Sequence, residues 1–479
     1  MRFMRCLPIA ASLTAFAAVP GVPGIAGAQA GTRGPARPAP AAPQQFVFPH
    51  VRSHTLPNGL RVHIVEDHSA QVVAVRAVFG VDSTFDPPGK EGLYQVTFGA
   101  LREGTTARTP AQLADASARI GTAVAPTAFT TVPAAFEPAL ALMADMLMHP
   151  SFDQAGIDRR KASIEATFRT VNARPATPAR SLMYAMLDGR DDPVTRSQYA
   201  TDAGVRALTR DDVIRFYDTH IGPSTMSLVI VGDVTDANAL AVATKTFGGW
   251  TKPASATRPT ATPPGPKPTT IYLRDLPGAA TYLYVGNLGP RRDAPDAFAA
   301  DVLGAITSTR FVQTLREKRS FMYAGRIDVV WKPAPRTSEF FGSTTVAPAN
   351  TDSALVEWVG LLHGLRGSAP VSDVELKNAM TARLGPLWTK TDGPDSVATR
   401  MVEALRENLP PDFLGQYAAG IAKVTTADIA AAAAKYIDTD HLVIVVTGDR
   451  KVIEPGLRAA NVAPIVVVDA NGKPIDDQR

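Results

Sequence analysis

The sequence predicts two homologous α+β units in tandem, and three observations carry that expectation. Helix-like and strand-like stretches alternate along the chain. A helix-then-strand unit recurs at a fixed spacing, since Thr209, Asp212, Gly232 and Asp233 return as Thr425, Asp428, Gly448 and Asp449, each offset by 216 (428 − 212). Between the copies lies a low-complexity stretch, Thr251 to Pro268, with prolines at 253, 259, 263, 264, 266 and 268 and almost no apolar side chain, which reads as an interdomain linker. Each repeat reads as a threonine-capped helix followed by a buried strand that stops at a Gly-Asp turn. The units then occupy residues 46–250 and 269–465, leaving 466–479 as a tail.

The elements follow in order. Arg2 and Arg5, an apolar stretch from Leu7 to Ala18 and the small-residue site Ala28-Gln29-Ala30 form an export signal over residues 1–30. Pro20, Pro23 and several glycines interrupt it, so it is too short for a stable membrane anchor. Residues 31–45 are a Pro/Ala-rich leader. Leu56-Pro57-Asn58-Gly59 signals a turn, with Leu60, Val62 and Ile64 at period two after it and an apolar strand from Val72 to Phe79. Thr109-Pro110 caps a helix that stops at Gly121. Pro138 opens a second, with Leu140, Met143 and Leu147 on one face, and His149-Pro150 ends it. Ile157, Ile164 and Phe168 stripe a third, on which Arg160 and Lys161 read as a solvated face.

Composition narrows the function. Of 479 residues, 45% are hydrophobic and 20% charged, which describes a folded chain. The formal net charge of +4 rests on four arginines in residues 1–45, where there is no acid, so the remainder is neutral and offers no electrostatic case for nucleic acid or an anionic membrane. The single cysteine, Cys6, lies in the export signal, which excludes disulfides, thiolate metal sites and a cysteine nucleophile from the mature chain. There is no P-loop, no dinucleotide-binding glycine pattern and no Gly-x-Ser-x-Gly elbow. None of the eight histidines has a glutamate or a second histidine at helical ligand spacing; His63 and His68, near a strand and its turn, read as a surface pair. Asp211-Asp212 reads as an acidic first turn of a helix.

Leu56-Pro57-Asn58-Gly59-Leu60-Arg61-Val62, Asp82-Ser83 through Pro87-Pro88-Gly89-Lys90-Glu91-Gly92-Leu93, Arg102-Glu103-Gly104-Thr105 and Leu315-Arg316-Glu317-Lys318-Arg319 together resemble the insulinase/pitrilysin family, the inverted zincins. The resemblance covers nearly all of the mature chain and implies, for each unit, an antiparallel-rich sheet covered by helices on one face. In that family the helix after the Gly-Leu pair carries H-x-x-E-H, whose histidines at i and i+4 reach zinc from one helix face while the glutamate serves as general base. In register from Gly92-Leu93, the positions here are Gln95, Val96, Thr97, Phe98 and Gly99. Glutamine is a weak neutral ligand, phenylalanine accepts no proton and glycine has no side chain, so no zinc is expected on this chain. The family's third ligand, a downstream glutamate, falls in register between Glu165 and Thr167.

The second half keeps more. The resemblance implies an arginine and a tyrosine seven residues later that complete the active site from the C-terminal half, and Arg316 and Tyr323 have that spacing (323 − 316 = 7). Arginine offers a fixed fork of donors to a carbonyl or carboxylate, and a tyrosine hydroxyl donates to an oxyanion. The family often has glycine where this chain has Ser320. The expectation is a non-catalytic, substrate-binding subunit of an exported, periplasmic heteromeric zinc peptidase, with zinc on a partner subunit and a peptide as substrate. The alternative is an inactive peptide-binding or scaffold protein of the same fold.

Overall fold

The first half opens with β1 (Arg52–Thr55), β2 (Arg61–Glu66) and β3 (Val73–Phe79). Asn58 holds the turn between β1 and β2 by donating its amide to the carbonyls of Phe247 and Trp250 at 2.8 and 3.0 Å. Next come α1 (Leu93–Ala100), α2 (Pro110–Ile120), β4 (Ala128–Thr131), α3 (Phe136–Met148) and α4 (Gln154–Asn172). The ends of α2 follow the sequence: the Thr109 hydroxyl accepts from the Gln112 N–H, Pro110 stands first, and Gly121 closes it at φ 77°. Helix α3 starts at Phe136 and not at Pro138, because a proline anywhere in the first turn removes only an N–H that has no helical partner. The half ends with α5 (Thr177–Leu187), α6 (Pro193–Gln198), α7 (Asp202–Ala207), α8 (Arg210–His220), β5 (Met226–Gly232) and α9 (Asp236–Phe247).

The proline-rich stretch contains neither helix nor strand. Hydrogen bonds hold it along the first half: the Ser255 N–H donates to the Thr219 carbonyl, and Arg258 donates to Asp82 at 2.6 Å.

The second half runs β6 (Thr270–Asp275), β7 (Thr281–Arg291), α10 (Ala297–Val312), β8 (Met322–Val330), β9 (Thr337–Val346) and α11 (Thr351–Leu365). It continues through α12 (Asp373–Leu384), α13 (Pro394–Arg406), α14 (Phe413–Ile421), α15 (Thr426–Tyr436), β10 (Val443–Gly448), α16 (Arg450–Ala460) and β11 (Ile465–Val468). Strand β11 corrects the tail boundary: residues 465–468 pair in parallel with β6, so the second sheet claims residues the sequence assigns to the tail. This computed structural model describes residues 46–475; the export signal, the leader and residues 476–479 lie outside the described residues.

Each half is a mixed, antiparallel-rich sheet, ordered β1-β2-β5-β3-β4 in the first and β11-β6-β10-β7-β9-β8 in the second. The repeat reaches well beyond the four matched residues. Helices α3 and α11 start 215 residues apart (351 − 136), α5 and α13 217 apart (394 − 177), and α9 and α16 214 apart (450 − 236). Helices α8 and α15 carry the same capping box, Thr209 with Asp212 and Thr425 with Asp428.

One face of each sheet packs on its own helices and builds the two main cores. The other face receives a helix from the opposite half. Val397, Ala398, Met401 and Val402 of α13 bury Val65, Ala74, Val78, Val229 and Val231 of the first sheet. Ala179, Leu182, Met183 and Leu187 of α5 bury Tyr284, Val445 and Val468 of the second. This exchange explains why β5 is buried at every residue: both of its faces are covered.

Candidate functional site

The segment leading into α1 is set by glycine and aspartate. Gly92 caps α1 at φ 104°, and a β-carbon there would stand 2.8 Å from Val205 Cγ2, so only glycine fits. The N–H groups of Gly92 and Tyr94 donate to the two oxygens of Asp86 at 2.8 and 2.7 Å. Burial pushes the Asp86 carboxyl up to about 7, against the pull of those two donors.

The positions matching the zinc motif have been refilled. The Gln95 side-chain oxygen is buried with no hydrogen-bond partner. Phe98 packs edge-on to Phe79 at 5.4 Å and against Tyr94 at 4.5 Å between ring centroids. At Gly99 the space of a side chain is taken by Arg160 from α4, whose Cδ lies 2.9 Å from where a β-carbon would stand. Both Arg160 and Arg159 donate to the buried carboxylate of Glu103. Lys161 donates to the Leu208 carbonyl. These contacts correct the reading of Arg160 and Lys161 as a solvated face: their stems cross packed surface, and their charged heads each find a specific acceptor.

Neither candidate third ligand is free to meet α1. Glu165 accepts from Arg206 on α7 at 3.1 and 3.2 Å, and Thr167 is exposed with its hydroxyl donating to the Ser163 carbonyl within its own helix. Among the described residues no group of three or more His, Cys, Asp or Glu side chains converges as a metal site would require. The donor set at Gln95, Phe98 and Gly99 therefore does not fit zinc.

The histidine pair also needs correction. His68 is exposed beside Asp233, but His63 is buried, bonded through Nδ1 to the Ser53 hydroxyl at 2.8 Å. Burial, with the nearby Arg61 charge adding to it, lowers its pKa to about 4. Strand β2 is buried from Val62 to Val65, so it leaves neither of its faces at the surface and His63 is not part of a surface pair.

In the second half, α10 runs into a wider π-helical turn over Gln313–Lys318. Leu315 is buried and anchors the turn, leaving Arg316 exposed. The chain reverses at Ser320, which adopts the left-handed conformation at φ 55°, while the Phe321 N–H donates to the Leu315 carbonyl at 2.7 Å. Serine thus takes the backbone shape glycine favours, and the reversal delivers Tyr323 back beside Arg316. The Arg316 guanidinium carbon lies 5.6 Å from the centre of the Tyr323 ring, a cation–π contact. A bulge in the β8–β9 pairing between Met322 and Gly325 turns Met322 inward and Tyr323 outward, leaving the tyrosine 86% exposed. The structure therefore brings Arg316 and Tyr323 together and keeps Gln95, Phe98 and Gly99 on a helix of the other half. Sequence reasoning missed Arg160, Glu103 and Asp86, because partners distant in sequence decide what each of them does.

Fold and site together describe two similar α+β halves, one with an exposed arginine–tyrosine pair and one whose α1 helix carries Gln95, Phe98 and Gly99. Residues 207–382 match the family model described as the peptidase M16 inactive domain, a span that includes Arg316 and Tyr323 and excludes Gln95, Phe98 and Gly99. Over that span the chain is similar to the inactive domain of the peptidase M16 family. Its fold is similar to the crystal structure of a peptidase M16 inactive domain from Pseudomonas fluorescens, at 20% identity and a TM-score of 0.72, covering 83% of this chain and 98% of that one. It is also similar to a protease from Helicobacter pylori, at 17% identity and a TM-score of 0.73, covering 84% and 100%. A third similar structure is the periplasmic protease PqqL from Escherichia coli, at 14% identity and a TM-score of 0.69, covering 88% of this chain and 51% of that one. No curated protein matches the sequence.

Proposed function

We propose that this chain is the non-catalytic, substrate-binding subunit of an exported heteromeric zinc peptidase, lending Arg316 and Tyr323 to a zinc site on a partner subunit. The observation that carries the reading is the pairing itself: an arginine and a strongly exposed tyrosine held side by side on a chain whose α1 helix has no metal ligands. An aromatic ring so far out in solvent gains little from burial in the isolated chain and is available to a substrate or partner.

The division of roles is chemical. The partner would supply the metal and the activated water. Arg316 would hold a peptide carbonyl or carboxylate through its donor fork, and the Tyr323 hydroxyl would donate to the oxyanion formed when water attacks the scissile carbonyl. Similarity to a periplasmic protease about twice as long as the matched part of this chain supports both a two-part assembly and a periplasmic address, as does the export signal read from the sequence. No helix of the described residues is long and apolar enough to cross a membrane.

The test is reconstitution with a zinc-bearing partner chain. Peptide cleavage should require both chains; Tyr323→Phe should lower kcat by roughly 100- to 1000-fold, the range for removing one oxyanion donor, and Arg316→Ala should lower kcat/KM. Cleavage just as fast with both side chains removed would leave this chain only an architectural role, as in the scaffold reading.

A further inference from the structure

The most concentrated group of unpaired buried polar atoms lies far from the site above, where the two halves meet. Asp188 ends α5 and Asp192 caps α6, both in the first half. Lys332 and Arg336 lie in the turn between β8 and β9, and Glu339 is on β9, all in the second half. Glu339 is fully buried, Asp188 is 2% exposed and Lys332 4%.

Lys332 Nζ donates to Asp188 at 2.6 Å and also pairs with Glu339, while Arg336 pairs with Asp192. The second oxygen of Asp188 and Glu339 Oε2 receive no hydrogen bond from any N–H or O–H donor, although the two carboxyls lie within hydrogen-bonding reach of each other. Beside them a cavity of about 210 Å³ is lined by Asp188, Asp192, Arg336 and linker residues Thr260 to Pro263.

The charges explain the unpaired oxygens. Arg336 and Asp192 cancel. Lys332 offers one positive charge to two carboxylates, so the fully ionised triad carries a net buried charge of −1, which burial strongly disfavours. One proton placed between the two carboxyls neutralises the cluster and supplies the missing donor, as in any pair of close, buried carboxylates. The other titratable neighbour is Tyr184 on α5, which feels both carboxylates as well as Arg180 and Tyr284, and whose phenol burial holds well above its ordinary range. Arg336 lines the same cavity, with its Nε and Nη1 unpaired, and its charge is matched by Asp192.

We propose that Asp188, Glu339 and Lys332 form a proton-dependent latch between the two halves, closed while the carboxyls share one proton and loosened when that proton is lost. Because β8 begins beside Tyr323 and ends at the latch turn, loosening frees the far end of the strand that presents the tyrosine. The inference is independent of the peptidase reading, since it concerns only the joint between halves.

The sign follows from linkage. Burial raises the Glu339 carboxyl well above its unfolded value. Its stabilising contribution is therefore complete below the unfolded glutamate pKa and declines as pH rises through the window up to the raised value, by about tenfold in the folding equilibrium constant per pH unit. The experiment compares denaturant unfolding of the full chain, Glu339→Gln and Asp188→Asn across that window, with hydrogen exchange of the β8–β9 turn corrected for its intrinsic pH dependence. Wild type should lose stability and turn protection as pH rises, and each amide variant, which supplies a permanent donor in place of the proton, should lose much less. Equal pH slopes in all three proteins would overturn the latch. So would failure of both variants to fold, because removing the surplus negative charge should not destabilise the joint.

Discussion

At Gly99 the arginine stem from α4 occupies the volume a ligand side chain would need. Restoring the family histidine there is therefore an overpacking problem before it is a metal-binding one. Gly99→His is expected to cost about 1–3 kcal/mol in urea unfolding, and adding Arg160→Ala to recover much of it. An equal cost with and without Arg160 would show that the two side chains do not compete for the space. His63 gives a pH signature. Its folded pKa lies near 4 against an unfolded value of 6.5, so the neutral ring's stabilising contribution is complete above 6.5 and is lost as pH falls towards 4. The loss is on the order of 3 kcal/mol. His63→Gln, which keeps a partner for the Ser53 hydroxyl without titrating, should flatten that acid limb; an unchanged acid limb would assign the loss to other groups.

Among the secondary elements, Ser320 pays for the reversal between α10 and β8 with a left-handed backbone. Ser320→Gly should raise stability by about 1 kcal/mol while keeping Arg316 beside Tyr323, and Ser320→Val should lower it; a destabilising glycine would mean that the serine side chain makes a contact worth more than the strain. Thr209→Ala and Thr425→Ala should each cost about 1 kcal/mol in unfolding experiments, because each removes one side of a capping box. These caps were legible in the sequence because capping is local: Thr109, Thr209 and Thr425 sit within three residues of the groups they bond. The Gly-Asp strand ends are local too, whereas the 216-residue repeat was legible as four matches at one offset and the Arg316–Tyr323 pair only through the family resemblance. The destinations of α5 and α13 were not. An apolar helix face such as Leu182, Met183 and Leu187 shows that something must cover it, and nothing in its spacing says that the cover is the other half's sheet. Arg160 was misread in the same way, since a charged residue on a helix looks solvated until a buried carboxylate such as Glu103 is placed opposite.

For the molecule as a whole, the exchange of α5 and α13 means that neither half completes its own core. The described residues 46–475 form one compact unit, with two small clusters that exist only when both halves are present. The chain is expected to unfold in a single calorimetric transition despite its internal repeat; two separable transitions would contradict the exchange. The same architecture keeps the fold of the first half without a set of metal ligands on α1 among the described residues. In place of ligands, α1 carries an aromatic cluster and an arginine–glutamate network, while the opposite half keeps an exposed arginine–tyrosine pair. Zinc titration of the purified chain, followed by calorimetry and by metal analysis after dialysis, tests this most directly. The expected result is no tight binding and far less than one zinc per chain. One tightly held zinc per chain, released by Gln95→Ala, would contradict it.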